Sequence, residues 1–227
     1  MTPPEDGFQR ARRPEQVRAR RVAILEVASA MLRERAVADI SLRELSERVG
    51  LAKSNVLRYF DSREAIFLEV LDENWRAWLG LVDEELARRS RGDGPFAGET
   101  AVAATIAETL TREPLLCELI STMAAVLERN ISVDFARVFK RRATDNTARL
   151  AALVSRELPD LAPERATHFA GAVFVLVAGL WPFANPTAAV ATAMDELGVP
   201  KAEHLFTDGL RDGLVFQLIG ASAAPGR

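Results

Sequence analysis

The sequence predicts an all-α protein with a small N-terminal helix-turn-helix unit and a larger helical body. Apolar residues recur at three- and four-residue spacing in each strongly periodic segment, as on a helix with one buried face. Hydrophobic residues make up 48% of the 227 positions, which is enough for a sizeable core. No segment has the pattern of a strand. We expect a flexible basic arm over residues 1–16, helical units over 17–66 and 67–221, and a tail over 222–227.

The arm, MTPPEDGFQRARRPEQ, has no apolar periodicity, and we expect it to be disordered when no DNA is bound. Arg10, Arg12 and Arg13 could reach a minor groove, although a solubilising tail explains them slightly better. The first helix is predicted from about Val17 to Arg35, with an apolar side formed by Val22, Leu25, Ala28 and Leu32.

A helix-turn-helix pattern spans residues 41–60, SLRELSERVGLAKSNVLRYF. Ser41 and Glu44 have the spacing of a capping box that starts a helix, and Gly50 suits the sharp turn that ends it. A second short helix, from about Ala52 to Tyr59, leaves a polar and basic outer face that favours the DNA major groove. That face comprises Lys53, Ser54, Asn55 and Arg58. An ordinary helical hairpin with a solvated face is the alternative.

The surroundings of this pattern favour a complete domain. Asp61 and Glu64 have capping-box spacing and predict another helix directly after the motif. Residues 1–60 carry 12 Lys and Arg against 8 Asp and Glu, whereas residues 61–227 carry 17 against 24. A basic end on an acidic body is the asymmetry expected when that end faces phosphates.

The rest of the chain predicts seven helices separated by Gly, Pro and Asn corners. Segment 169–184 is apolar nearly all round, and the last helix also has more apolar surface than one face needs. Such helices must be covered on every side, so we expect a four-helix interface between two copies, with Gly171 and Gly179 allowing close approach. The predicted helices cover 62–89, 97–111, 115–129, 132–157, 164–184, a segment capped by Asn185-Pro186 that stops at Gly198, and 202–219.

Residues from about Arg21 to Leu71 resemble the tetracycline-repressor (TetR) family of regulators. The residues that carry the resemblance, in the family's order and spacing, are Ser41, Ser46, Gly50-Leu51, Tyr59-Phe60 and Arg63-Glu64. Two positions depart from the pattern. Leu57 stands where the family usually has a tyrosine that contacts a phosphate, and Ala52 stands where many members have a capping serine or threonine.

The resemblance implies a dimeric DNA-binding regulator, most often a repressor, that a small molecule releases from its operator. Members pair through their last two long helices, here about 164–184 and 202–219. Asn55 could pair bidentately with adenine. The candidate DNA-binding residues are Ser41, Arg43, Lys53, Ser54, Asn55, Arg58, Tyr59 and Arg63.

An effector pocket for a small apolar or aromatic molecule is also implied, within the larger domain. For any single candidate residue, a place in the packed core is the stronger expectation. The polar groups expected to orient a ligand are Asn74, Asn130 and His168. The candidate ligand-binding residues are Asn74, Trp75, Trp78, Met123, Leu127, Asn130, Phe139 and Phe174.

Other classes of protein are less well supported. His168 and His204 are far apart and lack companions at metal-ligand spacing, so we expect neither an enzyme nor a metal or organic cofactor. The one cysteine, Cys117, excludes an intramolecular disulfide and is expected to be a buried, inert thiol. No signal peptide is evident, and a soluble cytoplasmic protein is expected. The alternative from another class is a helical protein–protein adaptor whose helix-turn-helix does not bind DNA.

Overall fold

The computed structural model describes residues 14–90, 92–199 and 205–223, and these ranges contain helices but no strand. This confirms the predicted all-α class. The helices are α1 (Pro14–Glu34), α2 (Leu42–Val49), α3 (Lys53–Val56), α4 (Arg63–Arg88), α5 (Ala97–Thr111), α6 (Pro114–Met123), α7 (Val133–Glu157), α8 (Pro163–Ala184), α9 (Ala188–Glu196) and α10 (Leu205–Ala223). Short 3₁₀ turns cover Val37–Asp39 and Leu127–Asn130.

The predicted capping box and turn set the geometry of the helix-turn-helix. Ser41 Oγ accepts the Glu44 N–H at 3.2 Å, and the Glu44 carboxylate accepts the Ser41 N–H at 3.1 Å. Gly50 ends α2 in the left-handed conformation, with φ of 72°, which a residue with a Cβ adopts only at a cost. Ile24, Leu45 and Val56 are fully buried where α1, α2 and α3 meet.

Helix α4 begins shortly after the short helix α3 and continues into the core of the larger domain. Its buried side includes Phe67, Trp78 and Val82. The predicted cap, Asp61, is wrong, because the side chain of Ser62 accepts the Ala65 N–H at 3.1 Å and caps the helix. The Asp61 carboxylate is used elsewhere: it accepts a hydrogen bond from the Ser132 hydroxyl at 2.5 Å, at the start of α7.

Two further boundaries differ from the prediction. The helix predicted over 115–129 ends at Met123, and a 3₁₀ turn follows. The side chains of Ser121 and Thr122 bond to the carbonyl of Glu118, a local alternative to the helix ladder that weakens the end of α6. Helix α9 is capped by Thr187 and not by Asn185-Pro186. The predicted start of the last helix at 202 lies outside the described residues.

Helices α8 and α10 pack against each other and leave apolar residues on their outer faces. On α10, a Cβ built at Gly213 would lie 3.4 Å from the Leu176 side chain, so glycine gives the close approach within the chain. At Gly171 and Gly179, the glycines predicted for close approach, the space that a Cβ would occupy has no side chain or other helix of the described residues within 4 Å. Within those residues, α8 alone is long and apolar enough to cross a membrane by length and composition, a test that core helices also pass.

Candidate DNA-binding site

The recognition segment consists of α3 and the turns that follow it. The Arg58 N–H bonds to the Asn55 carbonyl at 3.3 Å and the Tyr59 N–H bonds to the Val56 carbonyl at 2.9 Å, so the chain tightens after Val56. Val56 and Phe60 are buried and fix the inner side. Lys53, Ser54 and Arg58 are exposed, and Asn55 is half-buried at the edge of the same face. The fold thus brings the four predicted residues onto one outward surface.

Two basic side chains of this surface remain uncommitted. The side chains of Lys53 and Arg58 form no ion pair or hydrogen bond with any residue that the structure describes. Arg43, on α2, instead pairs with Glu47 at 2.9 Å in an exposed i,i+4 bridge. An exposed pair of this kind contributes little stability, so a phosphate oxygen can replace its carboxylate at small cost.

The other predicted DNA-binding residues have structural roles in the free protein. Ser41 is exposed, but its hydroxyl group caps α2. Tyr59 is half-buried, and its carbonyl accepts a hydrogen bond from Arg21. Arg63 donates to the carbonyl of Ile40 at 2.7 Å and pairs with Glu64 at 2.8 Å. The guanidinium of Arg63 is therefore already bonded inside the domain, and its predicted phosphate contact stays a prediction.

Arg21 on α1, which no sequence pattern marked as functional, contacts the end of the recognition segment. Its guanidinium contacts the Tyr59 carbonyl and the Glu69 carboxylate, and it lies 4.1 Å from the centre of the Phe60 ring. These partners are 38 and 48 residues away along the chain, so no local motif indicates the contact.

The predicted effector region forms an aromatic cluster in the larger domain. The rings of Trp75 and Phe174 lie 3.9 Å apart, and Trp78 meets Phe174 edge-on at 6.3 Å. Trp78 donates its indole N–H to the Thr109 hydroxyl at 3.0 Å. The indole nitrogen of Trp75 is buried without a hydrogen-bond partner among the described residues. Leu127 and Phe139 are also buried, whereas Met123 is half-buried.

The predicted polar ligand contacts are placed differently. Asn130 is exposed at the end of a surface turn, and its predicted role in orienting a ligand stays a prediction. Asn74 donates to the Val70 carbonyl of its own helix at 2.7 Å and is used within α4. His168 is exposed on α8. Cys117 is buried, and burial raises the pKa of its thiol far above the usual range, as expected of an inert thiol.

Two family models together match almost all of the described chain. Residues 24–70 match the model of bacterial regulatory proteins of the tetR family, and residues 72–225 match the tetracyclin repressor-like C-terminal domain. The chain belongs to the TetR family. It is therefore a helix-turn-helix transcriptional regulator that binds DNA. Members of this family are regulators and not enzymes. These matches confirm the resemblance and the two-part architecture.

Curated relatives match a short part of the chain. The HTH-type transcriptional regulator EthR of Mycobacterium tuberculosis and Mycobacterium bovis is 40% identical over 53 residues, which are 23% of this chain. The match spans about a quarter of the length of these relatives, 24%. Across nearly the whole chain, a TetR transcriptional regulator from Rhodococcus sp. RHA1 has a TM-score of 0.53 at 16% identity, with 90% of this chain and 98% of that chain covered. A transcriptional regulator structure from Pseudomonas aeruginosa PAO1 has the same TM-score and identity, with 93% of each covered. At these identities the likeness establishes the fold.

Proposed function

We propose that this TetR-family protein is a cytoplasmic repressor that binds a pseudo-palindromic operator as a homodimer and is released by a small apolar or aromatic effector. The observation that carries the DNA-reading part is the outward surface of the recognition segment. The side chains of Lys53 and Arg58 there have no partner in the described residues, whereas Arg43, Arg48 and Arg63 of the same domain are paired. An adaptor protein would have no use for an uncommitted basic face at a helix-turn-helix.

The residues of this surface have distinct roles in the proposal. Lys53 and Ser54 enter the major groove, where the amide of Asn55 pairs bidentately with an adenine. Arg58, Arg43 and the exposed Ser41 hold phosphates and fix the register, and the half-buried Tyr59 closes the contact at the end of the segment. Arg63 supports this arrangement from inside, through its bond to Ile40.

The outer faces of α8 and α10 support the homodimer. Val175, Phe183 and Phe216 are 73%, 77% and 73% exposed in the single chain. Gly179 is on the same face of α8, and the space beside its Cα is open within the described residues, so a partner helix could approach closely there. A two-fold axis through this surface would double the single recognition helix and place two readers about 34–36 Å apart, one DNA turn.

The aromatic cluster supports the effector part. A buried N–H without an acceptor costs about 1–3 kcal/mol, so an acceptor atom beside Trp75 would be favourable. We therefore assign the effector an apolar or aromatic body and a hydrogen-bond acceptor. Binding between α4 and α8 would favour a conformation in which α4 shifts, and α4 continues directly into the DNA-binding domain. Release requires that the effector bind the two conformations with unequal affinity.

The DNA-reading proposal is tested by selecting binding sites from a random DNA pool and measuring affinity across a salt series. Asn55→Ala should lose preference at one base pair, at a cost of about 1–3 kcal/mol. Arg58→Ala, at a phosphate contact, should weaken binding to all sequences and reduce the salt slope by about one. Asn130→Ala, at an exposed asparagine outside the helix-turn-helix sequence, is the control and should bind as the wild type does. Selection of no preferred sequence, with Asn55→Ala equal to wild type, would refute the reading surface.

The effector proposal is tested with two probes of similar shape, acetophenone and ethylbenzene, of which only the first has an acceptor oxygen. Acetophenone should raise the Tm more than ethylbenzene does at equal concentration, and Trp75→Phe should remove the difference. The dissociation of operator DNA by each probe should follow the same order. Equal shifts from both probes in the wild type would contradict the assigned acceptor, and no shift from either would contradict the aromatic pocket.

A further inference from the structure

The recognition segment has little intrinsic stability. Helix α3 is a single turn of four residues, and its N-cap, Ala52, provides no side-chain hydrogen bond. A helix this short does not persist without external contacts. Something outside the segment must therefore hold it in the orientation that DNA requires.

Arg21 contacts the far end of this segment in three ways. One guanidinium nitrogen donates to the Tyr59 carbonyl, the last peptide group before the buried Phe60. The guanidinium carbon lies 4.1 Å from the centre of the Phe60 ring, within cation–π range. A positive charge at a helix C-terminus is also favourable for the dipole of the segment.

Glu69 connects this contact to α4. It pairs with the second guanidinium nitrogen of Arg21, and only 16% of the Glu69 side chain is exposed. The three groups therefore join α1, the end of the recognition segment and the second turn of α4. At the opposite end of the helix-turn-helix, Arg63 of α4 bonds to the Ile40 carbonyl. Side chains of α4 thus take part in contacts at the beginning and at the end of the helix-turn-helix.

We propose that Arg21 and Glu69 are positioning residues that set the angle of the recognition segment relative to α4. Arg21 holds the Tyr59 carbonyl, and Glu69 fixes the orientation of Arg21, so the planar guanidinium bridges two elements at once. Neither residue needs to contact DNA. The inference rests on the DNA-binding role of the family and on no assumption about the effector or the dimer.

The chain offers a matched control for this pair. Arg48 on α2 and Glu34 on α1 form a bidentate ion pair with both distances 2.6 Å, and within the described residues this pair has no hydrogen bond or ion pair with α3 or α4. Glu69→Gln and Glu34→Gln each remove one carboxylate from an arginine in the same domain, and each changes the net charge equally. A general effect of charge or of domain stability would therefore affect both variants.

The first measurement is amide hydrogen exchange of the recognition segment in the free full-length protein, which needs no DNA. Glu69→Gln should speed exchange at residues 57–60 about tenfold, the loss expected for one hydrogen bond to a charged group. Glu34→Gln should leave these amides at the wild-type rate. Arg21→Gln should have a larger effect than Glu69→Gln, and Arg21→Lys, which keeps the charge and one donor, should fall between Arg21→Gln and the wild type.

The second measurement is the ratio of specific to non-specific DNA affinity at one salt concentration. Glu69→Gln should lower this ratio about tenfold while non-specific binding stays within twofold of the Glu34→Gln value. Equal exchange rates and equal ratios in Glu69→Gln and Glu34→Gln would overturn the positioning role. A wild-type protein without sequence preference would instead refute the reading surface. The exchange rates of Glu69→Gln and Glu34→Gln would still show whether Arg21 and Glu69 hold the recognition segment in place.

Discussion

Arginine side chains in the DNA-binding domain divide into those that hold the fold and those that remain available. Arg21 and Arg63 each donate to a backbone carbonyl at one end of the helix-turn-helix. Arg58, on the recognition segment, has no such contact with the described residues. The difference arises from position in the tertiary structure, because all three side chains have the same charge and the same donors. Substitution should therefore affect stability at one group and DNA affinity at the other.

Arg63→Gln should lower the free energy of unfolding by about 1–2 kcal/mol, because the buried Ile40 carbonyl loses a charged donor. Urea denaturation at neutral pH measures this change. Arg43→Gln, which removes an exposed i,i+4 pair, is the control and should stay within about 0.5 kcal/mol of the wild type. If Arg63→Gln keeps wild-type stability but loses DNA affinity, Arg63 is a phosphate contact after all.

Glu44 should make the stability of α2 dependent on pH. The Ser41 N–H, then Arg35, then the Ser41 hydroxyl hold the pKa of its carboxyl near about 2, below the ordinary value of 4.5. Because the folded-state pKa is the lower one, its contribution is complete above about pH 4.5 and is lost as the pH falls towards 2. Compared with Glu44→Gln, the wild-type Tm advantage should shrink over this range. A difference that stays constant from pH 6 to 2 would exclude the carboxylate as its source.

At the scale of elements, a row of aspartates joins α4 to α7. Successive members of the row are 11 residues apart, which is about three helical turns. Asp72 and Asp83 therefore lie on one side of α4, and Asp61 comes just before the helix. In chain order, the three aspartates bond to the Ser132 hydroxyl, the Asn146 amide at 3.0 Å and the Arg156 guanidinium at 2.6 Å. The two helices therefore run in the same direction with a fixed register, and the first of these bonds connects the DNA-binding end to α7.

The middle bond of this row should be the strongest contributor. Asp72 is buried, and Asp72→Ala leaves the buried Asn146 amide without its acceptor, so a loss of about 2–4 kcal/mol is expected. Asp83→Ala breaks an exposed pair with the same partner helix and should cost less than about 1 kcal/mol. Chemical denaturation of both variants tests the ranking, and Asp72→Asn, which keeps an acceptor oxygen, should recover part of the loss. Similar losses at the two positions would contradict it.

Contacts between neighbouring residues could be predicted from the sequence, whereas contacts between residues far apart in the chain could not. The α2 capping box and the Gly50 turn depend on neighbouring residues, and both were predicted correctly. The Asp61–Ser132 bond joins residues 71 positions apart, so local spacing made Asp61 look like a cap. The role of Arg21 was not predicted for the same reason, because its partners are 38 and 48 residues away. Among the effector candidates, Trp75 and Phe174 are in contact, whereas Asn130 lies at the surface, because periodicity does not specify the direction of a turn residue.

At the scale of the whole molecule, the single chain buries its aromatic cluster but leaves the outer sides of α8 and α10 exposed. Trp181 and Phe206 meet edge-on at 5.0 Å and close the contact between these helices within the chain. Phe183 and Phe216 remain outside, each more than 70% exposed. An exposed apolar surface on two adjacent helices is typical of a subunit interface, and the physical argument for a dimer depends on it.

Substitution of Val175 gives a direct test of that interface. Val175→Asp places a charge where the two α8 helices would meet, and burying an unpaired carboxylate is strongly unfavourable, so the variant should be monomeric in sedimentation at concentrations where the wild type is dimeric. Val133→Asp is the matched control, because Val133 is 68% exposed against 73% for Val175 but begins α7. It should remain dimeric. The Val175→Asp monomer should keep its helical content and its affinity for a half-site, yet lose the gain in affinity from the second half-site. A Val175→Asp variant that stays dimeric and binds the full operator like the wild type would place the interface on another surface.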